Sequence, residues 1–94
     1  MDDLTSSERF NLGALVMTQG VKEKVPSREA WEALVRHVHG DWGDLCEEDR
    51  ISNNLAVLNG AKLLSVYQSK SGIRFWIVTE WDRSVTTVLL PAEY

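Results

Sequence analysis

The chain of 94 residues has room for one small domain and excludes a second. Hydrophobic residues make up 44% of it and charged residues 26%, as is typical of globular proteins with a single core. Fourteen Asp and Glu residues against ten Lys and Arg residues give a net charge of −4. This acidic balance argues against charge-driven binding to nucleic acid, which needs an excess of Lys and Arg.

Cysteine content and the first residues predict a cytoplasmic protein. The single cysteine, Cys46, has no second cysteine for a disulfide and no Cys or His array around it for structural zinc. Residues 1–9 lack the basic start and apolar run of a signal peptide, and we expect a flexible tail there, followed by one domain over residues 10–94. No apolar stretch approaches the ~18 residues of a membrane span. Export and membrane insertion are therefore not expected.

The first predicted element is a short strand. Residues 12–17, LGALVM, form an apolar run closed by a polar TQG segment, and the length of the run fits a buried strand. Residues 21–26, VKEKVP, indicate one helical turn or a loop, because Pro26 disfavours helix at the preceding residue.

A first amphipathic helix is predicted from Ser27, the expected N-cap, to Gly40, which ends it. Its apolar residues recur at i, i+3, i+4 and i+7, and they are Trp31, Leu34, Val35 and Val38. We expect this stripe, including Trp31, to face the core.

A second amphipathic helix is predicted over residues 45–59. Asp44 and Glu47 have the spacing of a capping box, and Gly60 follows where a left-handed residue commonly ends a helix. The apolar residues of this helix recur at i, i+4 and i+7, and they are Ile51, Leu55 and Leu58.

After Gly60 the hydrophobic period changes from that of a helix to that of strands. Three β-branched and aromatic runs are separated by turn segments: KLLSVYQS, IRFWIVTE and SVTTVLL. The pattern predicts an α+β fold. A small antiparallel sheet, made of a three-stranded C-terminal meander and an N-terminal strand, carries two amphipathic helices on one face.

Two histidines and two aspartates near the HGDWGDL segment, residues 39–45, are the candidates for metal or acid/base chemistry. They are His37, His39, Asp41 and Asp44. Imidazole and carboxylate groups suit zinc, manganese or iron. Side chains at i and i+2 of a helix diverge by about 200°, so the two histidines could share an ion only beyond the helix end. The alternative is a turn between two helices, with one histidine at a helix terminus.

The TEWDRS segment, residues 79–84, is the second candidate site. It crowds three charged residues and a tryptophan on a hairpin tip, which suits a recognition surface. The alternative is a plain turn in which Asp82 bonds its own backbone and Arg83 pairs with Glu80. Trp42 and Trp81 both lie in loops, where they either clamp the loop or contact a partner. The candidate partner-binding residues are Trp42, Asp41, His39, Glu80, Trp81, Asp82 and Arg83.

Three segments carry a resemblance to a known family. They are LGALVMTQGV, RHVHGDWGDLCEEDR and GAKLLSVY with FWIVTEWDRSVTTVLLPAEY, so the match covers about residues 10–94. The chain resembles small proteins carried on bacterial plasmids, integrative elements and phages, often labelled plasmid-related protein or type I restriction enzyme modification subunit. The second label is physically inconsistent with this length, because a methyltransferase needs a far longer sheet and a glycine-rich cofactor loop. Trp81 stands where the family usually has a small residue.

The sequence therefore predicts a non-enzymatic interaction or regulatory module of a mobile genetic element. No nucleophile elbow or phosphate-binding glycine loop is present, and no catalytic residue or cofactor is predicted. The expected partner is a host or element-encoded protein acting in defence or plasmid maintenance, and a homodimer is an open alternative. The competing hypothesis is a small metal-dependent or acid/base enzyme built on the His37 and His39 loop.

Overall fold

The computed structural model describes residues 8–94, which form four strands, three α-helices and a closing 3₁₀ turn. In chain order the elements are β1 (Ala14–Met17), α1 (Gln19–Lys24), α2 (Ser27–Val38), α3 (Glu47–Asn59), β2 (Leu63–Gln68), β3 (Arg74–Thr79), β4 (Val85–Leu89) and the 3₁₀ turn (Pro91–Glu93). Most of the predicted tail, residues 1–7, lies outside the described residues. Arg9, the last residue of the predicted tail, is attached to the domain, since its amide donates to the carbonyl of Val38 at 2.9 Å.

The four strands form one mixed sheet in the order β1-β4-β3-β2. The predicted C-terminal meander is confirmed, because β2, β3 and β4 pair antiparallel through two hairpins. The prediction of a wholly antiparallel sheet is wrong at β1, which pairs parallel with β4 from Ala14 opposite Val85 to Met17 opposite Val88. All three helices and two strands separate β1 from β4, and only such a long connection can bring a strand back in parallel.

One face of the sheet is covered by α1 and α2. The nine residues of the main core are Val21, Val25, Ala30, Ala33, Leu34, Tyr67, Phe75, Ile77 and Val88. Among residues 8–94 no α-helix lies on the opposite face, and its centre is shielded instead by Trp76 and Tyr94, whose rings pack edge to face at 5.5 Å. The sheet thus has one helix-covered face and one open face.

The buried face of α2 is rotated relative to the predicted stripe. Trp31 and Val35, predicted in the core, are 52% and 48% exposed, whereas Ala33 and His37 are buried. Two alanines on the inner side let the helix lie close to the sheet, and His37 finds hydroxyl partners there. The prediction that Trp31 faces the core is therefore wrong.

The helix α3 lies along the β2 edge and ends at Gly60 as predicted, with φ +76°. Its predicted capping box is wrong, because Cys46 is the N-cap and no side chain caps the helix. The Asp44 amide instead donates to the carbonyl of Val66 in β2, at 2.8 Å. Asp44 is therefore held against the strand and cannot cap α3.

Candidate functional site

The segment Asp41–Asp44 closes the outer edge of β2. The amide of Val66 donates to the carbonyl of Trp42 at 3.2 Å, and the carbonyl of Val66 accepts from Asp44. Gly43 is bridged to Val66 in parallel and has φ +74°; a Cβ there would lie 1.9 Å from the Val66 carbonyl oxygen. Only glycine fits this close approach of two backbones. The loop is therefore an edge cover, a role that protects a sheet from unwanted strand pairing.

Trp42 fixes this cover to the body of the protein. Its side chain is 2% exposed, and its indole stacks near Phe10 at 6.1 Å and meets the ring of His37 edge on at 5.6 Å. The indole N–H donates to Asn54 Oδ1 of α3 at 2.9 Å. Among the two predicted roles of Trp42, the buried clamp is the one that the structure shows, since a side chain this buried has no surface to offer a partner.

The other polar groups of the loop are also used internally. The Asp41 carboxylate accepts from the Arg36 guanidinium at 2.8 and 3.2 Å, and its backbone carbonyl accepts from the Tyr67 hydroxyl at 2.6 Å. The hydrogen bond from Arg36 lowers the pKa of Asp41. His39 donates through Nδ1 to the carbonyl of Val35 at 2.7 Å. Asp41 and His39 therefore hold the turn after α2.

His37 lies in a buried chain of hydroxyl groups that fixes its protonation. Thr86 Oγ1 donates to the carbonyl of Leu12 at 2.7 Å, so it accepts the hydroxyl proton of Thr79, also at 2.7 Å. Thr79 Oγ1 must then accept from His37 Nε2–H at 2.9 Å, and Nδ1 accepts from Ser65 Oγ at 2.5 Å. Burial, with the positive charge of Arg83, lowers the pKa of His37 to about 3. This imidazole is a neutral structural element.

The predicted metal or acid/base cluster is not assembled. Both nitrogens of His37 bond to hydroxyl groups inside the core, whereas Asp44 lies on the surface with its carboxylate 3.9 Å from Arg74. Within residues 8–94 no group of three or more His, Cys, Asp or Glu side chains could hold a metal ion. His37 and Asp44 are therefore directed to different parts of the structure, one into the core and the other to the surface.

The hairpin tip between β3 and β4 is anchored to α3 by Arg83. The guanidinium donates to the carbonyls of Ala56 and Ala61 at 2.9 and 2.7 Å, and to that of Glu80 at 3.0 Å. These acceptors include helix C-terminal carbonyls, which favour a cation. The predicted side-chain pair with Glu80 is therefore wrong, because Arg83 reaches its backbone instead.

Trp81 is the part of the predicted hairpin site that remains on the surface. Its side chain is 65% exposed, on a turn that Arg83 holds against the C-terminal end of α3. Asp82 behaves as the plain-turn alternative predicts, with Oδ1 accepting from the Ser84 amide at 3.0 Å. Of the two loop tryptophans, one is thus a clamp and the other is available to a partner.

A row of exposed apolar side chains runs along the outer face of α3. Ile51, Leu55 and Leu58 are 52%, 55% and 84% exposed, and they point away from Asn53 and Ala56, which face the protein. We call these three residues the α3 stripe. Their spacing had predicted an amphipathic helix correctly, but the large side chains face outward. The side that faces the protein carries Asn53 and Ala56, with the half-buried Val57 packed against the Trp42 and Leu63 cluster.

The fold and these surfaces define a small α+β protein with a four-stranded mixed sheet, helices packed against it and an outward-facing apolar helix stripe. None of the helices described in residues 8–94 is long and apolar enough to cross a membrane. Comparison with known proteins found no matching family model, no matching curated protein and no matching solved structure.

Proposed function

We propose that this protein is a non-enzymatic interaction module that docks a helical segment of another protein on the α3 stripe. The observation that carries the proposal is Leu58, which is 84% exposed at the end of a row of three large aliphatic side chains. Scattered apolar residues on a surface are normal, but an aligned row at i, i+4 and i+7 is the pattern by which helices recognise each other.

Charge next to the α3 stripe indicates the chemistry of the partner. The first turn of α3 carries Glu47, Glu48 and Asp49, and its last turn has no basic residue. This acidic group at the N-terminal end of the apolar row, next to Arg50, favours a partner helix that carries Lys or Arg beside its apolar face. Trp81, on the turn beside the C-terminal end of α3, supplies an aromatic side chain of the kind that often anchors interfaces.

The biological setting is part of the same proposal. The resemblance to proteins carried on plasmids, integrative elements and phages supports a cytoplasmic role on a mobile genetic element. A defence or plasmid-maintenance protein of the host or the element is the class of partner proposed. The compact polar core around His37 supports a binding role over an acid/base one, since its imidazole is committed to the fold.

The test uses a designed helical peptide with Leu on one face and Lys on the flanks. We expect amide chemical-shift changes in NMR spectra of the full chain to be confined to α3 and the turn at Trp81. The double variant Leu55→Ser, Leu58→Ser should weaken binding at least tenfold, a loss of about 1.4 kcal/mol. The fold should persist, because both side chains are exposed.

The matched control is Trp31→Ser, Val35→Ser, which removes two half-exposed apolar side chains from α2. This control should bind the peptide as the wild type does. A second peptide with Glu in place of Lys should bind more weakly. Equal weakening by the control, or shifts centred away from α3, would contradict the proposal.

A further inference from the structure

The outer edge of β1 is a further surface that no strand of residues 8–94 covers. The amides of Ala14 and Thr18 donate to the carbonyls of Ser84, just before β4, and of Val88 in β4, both at 3.0 Å. The backbone amides and carbonyls of successive residues in a strand point to opposite sides. Those of Leu15 and Met17 therefore point away from β4. Within residues 8–94 no strand pairs with this side of β1. As far as the described residues go, these outward groups have no strand partner and can form a further ladder.

The opposite edge of the sheet is treated differently. There the segment Asp41–Asp44 binds both backbone groups of Val66, and Asn53 Nδ2 donates to the carbonyl of Leu64 at 2.6 Å. Proteins commonly protect an edge by such a cover, or by Lys, Pro or a bulge on the strand itself. The sequence of β1, Ala-Leu-Val-Met, has no charge and no proline. One edge is thus closed by a dedicated loop, and the other has no protection from the described residues.

The side chains of β1 are apolar and accessible. Leu15 is 40% exposed on the helix-covered face, and Val16 is 45% exposed on the open face. Residues 10–21 contain no charged side chain, although charged residues make up 26% of the chain. A charged partner therefore has nothing to recognise along this edge. Two identical copies, in contrast, can approach each other here without bringing like charges together.

We propose that β1 pairs antiparallel with β1 of a second copy across a two-fold axis, joining two sheets into one of eight strands. With Val16 facing its counterpart on the axis, Leu15 of each copy exchanges both backbone bonds with Met17 of the other. Four intermolecular hydrogen bonds result, and the pairing is isologous, as in most homodimers. The short strand makes a small interface, which is typical of a reversible, concentration-dependent dimer.

The first test is sedimentation velocity of the full chain over a range of concentrations. Wild type should shift from monomer to dimer. Val16→Lys places two ammonium groups opposite each other and should weaken dimerisation at least tenfold; Val16 is exposed on the open face, so the monomer fold should persist. The control Leu58→Lys puts the same charge on the α3 stripe and should dimerise normally. This pair also separates the inference from the proposed function, since each variant disables only one surface.

The second test needs no variant and reads the edge directly. In amide hydrogen exchange, Leu15 and Met17 should exchange quickly in dilute protein and become protected as concentration rises. Val16, whose amide faces β4, should be protected throughout. Wild type that stays monomeric, a dimer lost in Leu58→Lys but kept in Val16→Lys, or no concentration effect at Leu15 and Met17 would each overturn the inference.

Discussion

Lowering the pH from about 8 to about 5 should destabilise the protein through His37. In the unfolded chain this imidazole has its ordinary pKa of 6.5, whereas in the folded protein burial and the charge of Arg83 lower the pKa to about 3. Between these values the unfolded state binds more protons than the folded state, so stability falls as the pH falls. The contribution of neutral His37 is complete above pH 6.5 and is lost progressively toward pH 3.

The magnitude follows from the difference between the two pKa values. Each unit is worth about 1.4 kcal/mol, so the whole gap corresponds to a ceiling of about 5 kcal/mol. At pH 5 only the upper part of the gap has been crossed, and the expected loss is about 2 kcal/mol. Domains of this size are stable by roughly 5–15 kcal/mol in total, so the loss is large enough to measure. The cause is burial together with the charge of Arg83. The second proton of a charged ring would sit on Nδ1, where the Ser65 hydroxyl donates to the neutral ring.

Urea unfolding followed by tryptophan fluorescence measures this effect, because Trp42 is 2% exposed in the folded state. The control is His37→Gln, which keeps a polar side chain in the core and removes the titration. Wild type should lose about 2 kcal/mol more than His37→Gln between the two pH values. The same dependence on pH in both proteins would refute the assignment to His37. Asp41, whose pKa Arg36 lowers, affects stability only at pH values below the ordinary range of a carboxyl group.

Two further predictions concern the edge cover over β2, and urea unfolding checks both. Trp42→Ala should cost about 3–5 kcal/mol because it empties a buried site, whereas Trp81→Ala, on the surface, should stay within about 0.5 kcal/mol of wild type. Gly43→Ala should cost at least about 1 kcal/mol more than Gly60→Ala: both glycines have positive φ, but only at Gly43 would the new Cβ strike the Val66 carbonyl. Equal losses within either pair would contradict the edge-cover assignment.

The order and type of the elements could be predicted because each pattern has a local physical cause. Alternating β-branched residues after Gly60 specify strands whatever they pack against, and the structure confirms the meander. The direction of β1 could not be predicted, because it depends on where the chain returns after five intervening elements. Asp44 shows a similar limit: its spacing to Glu47 fits a capping box, but a backbone bond to Val66 holds it elsewhere.

The two amphipathic helices show why periodicity alone could not tell which helix face is buried and which is exposed. An apolar stripe has the same spacing whether it faces the core or a partner, so Ile51, Leu55 and Leu58 could be assigned to an amphipathic helix but not to a side. The strands did contain a sequence signal for the face of α2 that is buried in the structure. Ser65 and Thr79 lie on the same inward face as Phe75 and Ile77, and buried hydroxyls need a polar partner such as His37.

The internal contacts of Trp42 and Asp41 also determine how the effects of substitutions in the HGDWGDL segment should be interpreted. Trp42 links β2, His37 and α3, and Asp41 holds the turn through its carboxylate and its carbonyl. Removing the Trp42 side chain therefore perturbs the placement of α3, and with it the α3 stripe, without any direct contact to a partner. Removing the Asp41 carboxylate loosens the turn after α2. A loss of binding in such a variant can be interpreted only when its free energy of unfolding is measured as well. Substitutions at Leu55 and Leu58 test the docking surface itself, because both side chains are mostly exposed.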